Sequence, residues 1–204
     1  ALYGVNASNG SEEWAFDPPD RIDSSPTVAD GTAYVGSEDG TLYAVNASTG
    51  SEEWAFTRPT AGVRSSPTVA DGTVYVGSQD GTLYAVDAAT GSEEWAFTTP
   101  SAAVYSSPTV ADGTVYVGSN DGTLYAVDAE TGDEVWRFTG PSGLVRSSPT
   151  VADGTVYVGS RDSTLYAPDR APGDPASNVT APSVQVSSSP TVADGTVYVG
   201  SNDG

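Results

Sequence analysis

The chain has 204 residues and a net charge of −20; its seven cations are all arginine, and Cys, His and Met are absent. Without Cys or His there is no disulfide, thiol nucleophile, imidazole base or histidine metal ligand, and so acidic a chain repels nucleic-acid phosphate and anionic membrane surfaces. No stretch reaches the ~20 apolar residues that cross a bilayer, while 37% hydrophobic residues set among β-forming segments argue for a packed core rather than an acidic tail.

In chain order, Ala1 to Phe16 reads as two strands, "ALYGVN" and "EEWAF", around a polar turn. A short connection then leads to Ser24, where the phrase "SSPTVADGTAYVGS" begins. The phrase returns with Val in place of Ala33 at Ser65, Ser106, Ser147 and Ser188, a period of 41 residues. Self-similarity at 40–45 residues with several strands per unit is the signature of propeller blades. In the second complete unit, strands are predicted over Val63 to Ala70, Thr73 to Ser78, Thr82 to Asp87 and Glu94 to Thr98. Turns at Asp71-Gly72, Asp80-Gly81 and Thr90-Gly91 separate them, since Gly accepts the positive φ of tight hairpins. Pro67 and its counterparts Pro26, Pro108, Pro149 and Pro190 sit in the first strand, which must be an edge because proline cannot donate to a ladder. In a propeller that edge lines the central channel.

After Ala167 the pattern degrades. The fifth outer segment, "APDRAPGDPAS", has no tryptophan and three prolines between Pro168 and Pro175, so its blade is expected to be the least stable. The chain ends "GSNDG" and begins "ALYGVN", which together reproduce the internal junction "GSNDGTLYAVD". The expectation is a single all-β domain over residues 1–204: a five-bladed propeller of four-stranded antiparallel blades. Its last blade is shared between residues 1–16 and 183–204, so the ring closes, and the protein is expected to be a monomer. The rival arrangement is an arc of five repeats from a larger ring.

The outer strands carry "AVDAATGSEEW" (Ala85 to Trp95) and "AVDAETGDEVW" (Ala126 to Trp136). "AVNASTGSEEW" (Ala44 to Trp54) and "GVNASNGSEEW" (Gly4 to Trp14) are close variants. These resemble the tryptophan-docking motif of the pyrroloquinoline-quinone (PQQ) repeat family of β-propellers, and the resemblance covers essentially the whole chain. It implies that Trp14, Trp54, Trp95 and Trp136 staple each blade to the next. It also implies that quinone-dependent dehydrogenases of the family have an adjacent-cysteine disulfide, a calcium site and a catalytic aspartate. This chain has no cysteine and few residues that break the repeat, so no enzyme, cofactor or metal is expected. Members with so plain a repeat look like scaffolds, among them a bacterial lipoprotein that assists outer-membrane barrel assembly and various cell-surface domains. An extracellular or cell-surface location follows from that resemblance. A piece of a larger quinoprotein and an amplified or designed repeat protein without a ligand are the alternatives. The lysine-free acidic composition resembles that of proteins from salt-loving archaea, because in molar salt the Debye length falls to ~3 Å and self-repulsion is screened.

The pairs Glu12-Glu13, Glu52-Glu53 and Glu93-Glu94 do not read as acid–base pairs, since neighbours on a strand point to opposite faces. The Asp-Gly turns lack the ligand sequence of a calcium loop. Of the three glycosylation patterns, at Asn6, Asn46 and Asn178, the last lies in the irregular insertion and is the favoured acceptor. The informative positions are those where the repeats disagree. Before Ser-Ser-Pro stand Asp23, Arg64, Tyr105, Arg146 and Ser187; after Gly-Ser stand Glu38, Gln79, Asn120, Arg161 and Asn202. Both rows are expected on one face, the first around the channel mouth. Arg64, Arg146 and Arg161, with Tyr105 able to stack, are the candidate residues for a protein or peptide partner or an anionic ligand, because guanidinium forks pair with carboxylate or phosphate.

Overall fold

The computed structural model describes residues 1–169 and 185–201, together with the backbone of residues 175–180. Every regular element among the described residues is a strand. β1 (Leu2–Val5) and β2 (Glu12–Phe16) form a two-stranded sheet. Four four-stranded antiparallel blades follow. The first is β3 (Thr27–Ala29), β4 (Thr32–Gly36), β5 (Leu42–Asn46) and β6 (Glu52–Phe56). The second is β7 (Thr68–Ala70), β8 (Thr73–Gly77), β9 (Leu83–Asp87) and β10 (Glu93–Phe97). The third is β11 (Thr109–Ala111), β12 (Thr114–Gly118), β13 (Leu124–Asp128) and β14 (Glu134–Phe138), and the fourth is β15 (Thr150–Ala152), β16 (Thr155–Gly159), β17 (Thr164–Pro168) and β18 (Pro175–Thr180). β19 (Thr191–Ala193) and β20 (Thr196–Tyr198) end the series as a second two-stranded sheet.

Each blade is a meander in sequence order with its first strand at one edge. The hairpin joining first and second strands uses Asp and Gly with positive φ at both central positions, as in Asp71 (49°) and Gly72 (82°). That is the mirror-image turn whose twist matches the flanking strands. The first strand is shorter than the sequence predicts: β7 starts at Thr68, not Val63, because the ladder can begin only beyond Pro67, which has no N–H to give.

Period-two alternation builds the seams between blades. Tyr75, Leu83, Ala85, Trp95 and Phe97 on one face of the second blade pack against Val104, Val115, Val117, Tyr125 and Val127 of the third. The same division recurs one seam earlier, where Tyr34, Leu42, Ala44 and Phe56 meet Val63, Val74, Val76, Tyr84 and Val86. Both faces of the second strand are therefore buried, which is why its sequence reads Val-Tyr-Val without a polar side. Gly77 ends that strand because Val104 of the next connection lies against it; a Cβ there would fall 2.4 Å from Val104 Cγ1.

The invariant Ser-Ser-Pro-Thr phrase is spent on backbone hydrogen bonds. The first serine receives the strand-end amide, as Gly77 N–H donates to Ser65 Oγ (2.7 Å). The second serine links neighbouring blades around the channel, as Ser66 N–H donates to Ser107 Oγ (2.9 Å). The threonine does the same from its hydroxyl, Thr68 Oγ1 to the Pro108 carbonyl (2.6 Å).

The sequence leads to a last blade formed from both ends of the chain. Among the described residues β1 pairs only with β2 and β20 only with β19, and Tyr3, Val5 and Tyr198 are each more than half exposed. One expectation needs correction. Asn178, expected in an irregular insertion, lies in β18 opposite Tyr166; its side chain falls outside the described residues. The segment can pair because an outer strand needs only one ladder partner. Asn6 and Asn46 serve their own turns, each side-chain oxygen accepting the amide of the serine two residues on (3.0 Å).

Candidate functional site

The loop after the second strand and the connection before the next blade's first strand meet at one end of each seam. Backbone bonds fix the meeting: Val104 N–H donates to the Ser78 carbonyl (2.9 Å) and Asn120 N–H to the Ala103 carbonyl (2.9 Å). The two varied rows are thereby brought side chain to side chain, each residue before Ser-Ser-Pro facing the one 26 positions earlier. This offset is fixed by topology and has no counterpart in the sequence pattern, which names both rows without pairing them.

The four pairs differ in how completely they are satisfied. Arg64 forms a two-pronged ion pair with Glu38, its Nη2 3.2 Å from Oε2, and its Nε lies 3.5 Å from Asp23 Oδ2. Gln79 Nε2 also donates to Glu38 Oε1 (3.0 Å). The Arg64 guanidinium, opposed by burial and assisted by Gln79, holds the Glu38 carboxyl below its ordinary range. Tyr105 donates its hydroxyl to Gln79 Oε1 (3.3 Å), and its ring lies between Arg64 and Arg146, with guanidinium carbons 5.7 and 4.6 Å from the centroid. Such cation–π contacts offset part of the cost of placing two cations nearby.

Arg146 Nε donates to the neutral Asn120 Oδ1 (2.9 Å), and among the described residues no carboxylate lies within ion-pair distance of it. Burial and the Arg161 charge push its guanidinium below the ordinary arginine value, while Tyr105 acts the other way. The fourth pair is Ser187 with Arg161. Val186 N–H donates to the Ser160 carbonyl (3.1 Å), setting Ser187 beside Arg161 as in the other units. Here the Arg161 Nε and the Ser187 Oγ are both buried and, among the described residues, both without a hydrogen-bond partner. The adjacent Asp162 is committed elsewhere: it accepts from Ser142 N–H (2.7 Å), Thr164 N–H (3.1 Å) and the Tyr166 hydroxyl (2.9 Å). Asn202, the last of the second row, lies outside the described residues.

The equivalent aspartates behave alike. Asp121 takes Ser101 N–H (2.9 Å), Thr123 N–H (2.9 Å) and the Tyr125 hydroxyl (2.9 Å), tying its turn to the neighbouring connection. Burial first, then the Asp121 bond, pushes the Tyr125 phenol up to about 12. Among the described residues no group of three or more carboxylates is disposed to hold a metal ion. The opposite face carries the hairpin turns and a groove lined by Asp71, Glu94, Asp112, Asp128 and Glu130. Arg64, Arg146 and Arg161, three of the seven arginines, thus lie at one end of an otherwise acidic molecule.

On the outer strands, Trp14 Nε1 donates to the Ala47 carbonyl (3.0 Å), Trp54 to Ala88 (3.0 Å) and Trp95 to Ala129 (3.1 Å), each crossing to the next blade. The indoles lie flat on Gly50, Gly91 and Gly132, where a Cβ would fall 2.7–2.8 Å from the ring. The position that corresponds for Trp136, residue 170, is outside the described residues.

The PQQ-repeat family model described as "Outer membrane protein assembly factor BamB" matches residues 1–71, 57–150 and 140–204. The chain belongs to this family. No curated protein sequence matches it. Among solved structures, this PQQ-repeat chain is similar to BamB from Moraxella catarrhalis, with 24% identity, a TM-score of 0.83, and 99% of this chain covered against 64% of that one. It is also similar to the computationally designed Ika8 protein (22% identity, TM-score 0.80, 88% and 55% covered) and the WD40 propeller domain of Doa1 (23%, 0.72, 87% and 60%). The chain therefore spans less than two thirds of the length of each of these structures, and the likeness establishes the propeller fold.

Proposed function

We propose that this PQQ-repeat propeller is a non-enzymatic interaction platform whose channel-mouth face receives an acidic segment of a protein partner. The observation that carries the reading is the gathering of Arg64 and Arg146 around Tyr105, with Arg161 close enough to Arg146 to act on its charge, on one face of a chain with net charge −20. Charge complementarity of this kind steers encounter and excludes wrong partners. The family description, an assembly factor, agrees with a role in holding other proteins, and a location at or beyond the cell surface is part of the proposal. So is adaptation to salt: circular dichroism during a salt titration should show the fold weakening as salt is removed.

The test uses an array of twelve-residue peptides that are neutral, basic, or neutral with one or two acidic residues. Binding is expected to the last class, and the combined substitution Arg64→Glu, Arg146→Glu, Arg161→Glu should remove it. Retention of the same peptides by that variant overturns the assignment of the face.

The five units are proposed to form an open arc rather than a sealed five-bladed wheel. The exposed edges of β1 and β20 support this, as does superposition of 99% of the chain on part of a longer propeller. Cysteines at positions 4 and 198, opposite each other if the wheel sealed, should fail to form an intramolecular disulfide; rapid closure in the monomer would restore the wheel.

A further inference from the structure

The rim of the channel is a ladder of four facing pairs, and its satisfaction falls off along the chain. The Arg64 rung has two carboxylates, Glu38 and Asp23. The Tyr105 rung is neutral and closed by a hydrogen bond to Gln79. The Arg146 rung offers only an amide oxygen to a cation. The Arg161 rung has two buried polar atoms, Arg161 Nε and Ser187 Oγ, with no hydrogen-bond partner among the described residues. Buried polar groups in native proteins are paired in the great majority of cases, and each exception asks for a cause. Loss of one buried partner normally carries the full desolvation penalty of the other. Here both members of one pair are orphaned, next to a second arginine that lacks a counter-charge among the described residues, in a chain with 27 carboxylates.

We infer that Arg146, Arg161 and Ser187 form a socket for a single carboxylate carried on an otherwise uncharged peptide segment. The inference rests on the partner-binding reading of this face and specifies its ligand. The orphans are an N–H donor on Arg161 and a hydroxyl on Ser187, two donors for the two oxygens of a planar carboxylate. Arg146 adds charge without using up an orphan, and Asn120 holds its Nε edge in place. A phosphate would bring a further acceptor oxygen for which no orphan donor is present. The remainder of the segment is uncharged because the surrounding surface is acidic, and a polyacidic peptide would be repelled as it approached.

The test reads the arginines directly. With seven arginines in the chain, the 15N–1H cross-peaks of the Nε groups are few and can be assigned with single Arg→Gln variants. The probe is the capped pentapeptide Gly-Ser-Glu-Ser-Gly, compared with its glutamine counterpart and with inorganic phosphate, in salt sufficient to keep the protein folded. Saturable movement of the Arg161 and Arg146 peaks by the glutamate peptide alone is expected. Arg161→Gln should weaken that binding about tenfold, as expected for loss of a charge-assisted bond, and Ser187→Ala about three- to fivefold. Arg137→Gln, on an outer strand, should leave it unchanged. Equal binding of the glutamine peptide, or movement by phosphate where the glutamate peptide has no effect, overturns the socket. Saturable movement of Arg64 with Arg161 unmoved overturns it too, while leaving the face as a docking surface. Should no peak move although the peptide array still responds to charge reversal, the socket fails and the wider reading stands.

Discussion

The seams between blades and the rim of the channel are made from the same 41-residue unit, yet the seams are nearly identical and the rim differs at every rung. In the seams each invariant residue is answered by another invariant residue: Ser66 by Ser107, Thr68 by the carbonyl of Pro108, Gly77 by Val104. A change at one such position would have to be matched in the next blade. At the rim, side chains meet the partner 26 residues earlier and a few rim neighbours rather than a repeated seam, so Arg64–Glu38, Tyr105–Gln79, Arg146–Asn120 and Ser187–Arg161 can each be different. Uniformity marks what the fold requires, and variation marks where the surface is free to recognise something.

The largest effect should come from breaking a seam. Trp95 is buried, donates to Ala129 and packs against Tyr75 at 5.8 Å between ring centroids. Trp95→Ala should cost about 3–5 kcal/mol, by loss of buried area and the cavity left behind. Trp14 makes the same hydrogen bond from the terminal two-stranded sheet but is only half-buried, so Trp14→Ala should cost clearly less. Urea denaturation followed by indole fluorescence measures both; equal costs would mean that the terminal sheet is as well covered as an internal blade.

Rim substitutions should be milder and should separate satisfied rungs from unsatisfied ones. Arg64→Gln leaves the mostly buried Glu38 without its charged partner and should cost about 1–2 kcal/mol. Arg161→Gln removes a buried N–H that already lacks an acceptor, so stability should barely change even as peptide binding falls. A loss of stability at position 161 as large as that at 64 would show that Arg161 is held by the fold after all.

The same rung sets a pH dependence. The folded-state Glu38 carboxyl is depressed below its ordinary 4.5. Its contribution is therefore fully present above about that value and is lost as pH falls through the lower folded value. Chemical denaturation between pH 6 and pH 3 should show wild type losing stability more steeply than Glu38→Gln over that acid limb. Parallel curves would mean that Arg64 does not favour the charged form.

Much of the fold was legible because short-range physics writes it plainly. Alternation in Val-Tyr-Val and Leu-Tyr-Ala-Val gave the seam faces, the Asp-Gly turns gave the hairpins, and proline gave the edge strand. The length of β7 was overstated, since hydrophobic character continues through Val63 although the ladder cannot pass Pro67. A fourth strand was expected in this blade and β18 supplies it, but Asn178 was placed in an irregular insertion because the segment lacks the motif tryptophan and is rich in proline. Register alone, which is one-dimensional, points to closure, and it stands against the open arc proposed above because the turn from blade to blade depends on how valine and tyrosine side chains fill a seam. At the site, both rows of varied residues could be named, but their facing required the antiparallel return of the chain. The orphaned atoms required coordinates.

The smallest effect tests whether the unsatisfied rung is strained as well as unpaired. The loop after the second strand carries a glycine with positive φ at Gly40 (85°), Gly81 (88°) and Gly122 (86°), but the fourth blade has Ser163 there with φ of 73°. A side chain in that region costs about 1–2 kcal/mol, while a glycine returns roughly 0.4–1 kcal/mol of that through the freedom it gives the unfolded chain. Ser163→Gly should therefore stabilise the protein by only about 0.5 kcal/mol in urea denaturation. Its value lies in the comparison with Arg161, two residues away. If peptide binding is unaltered, the serine is drift within a repeat. A weaker complex would mean that this backbone conformation, awkward for serine, helps hold the Arg161 guanidinium toward Ser187, and that the varied rim extends its individuality from side chains into the main chain.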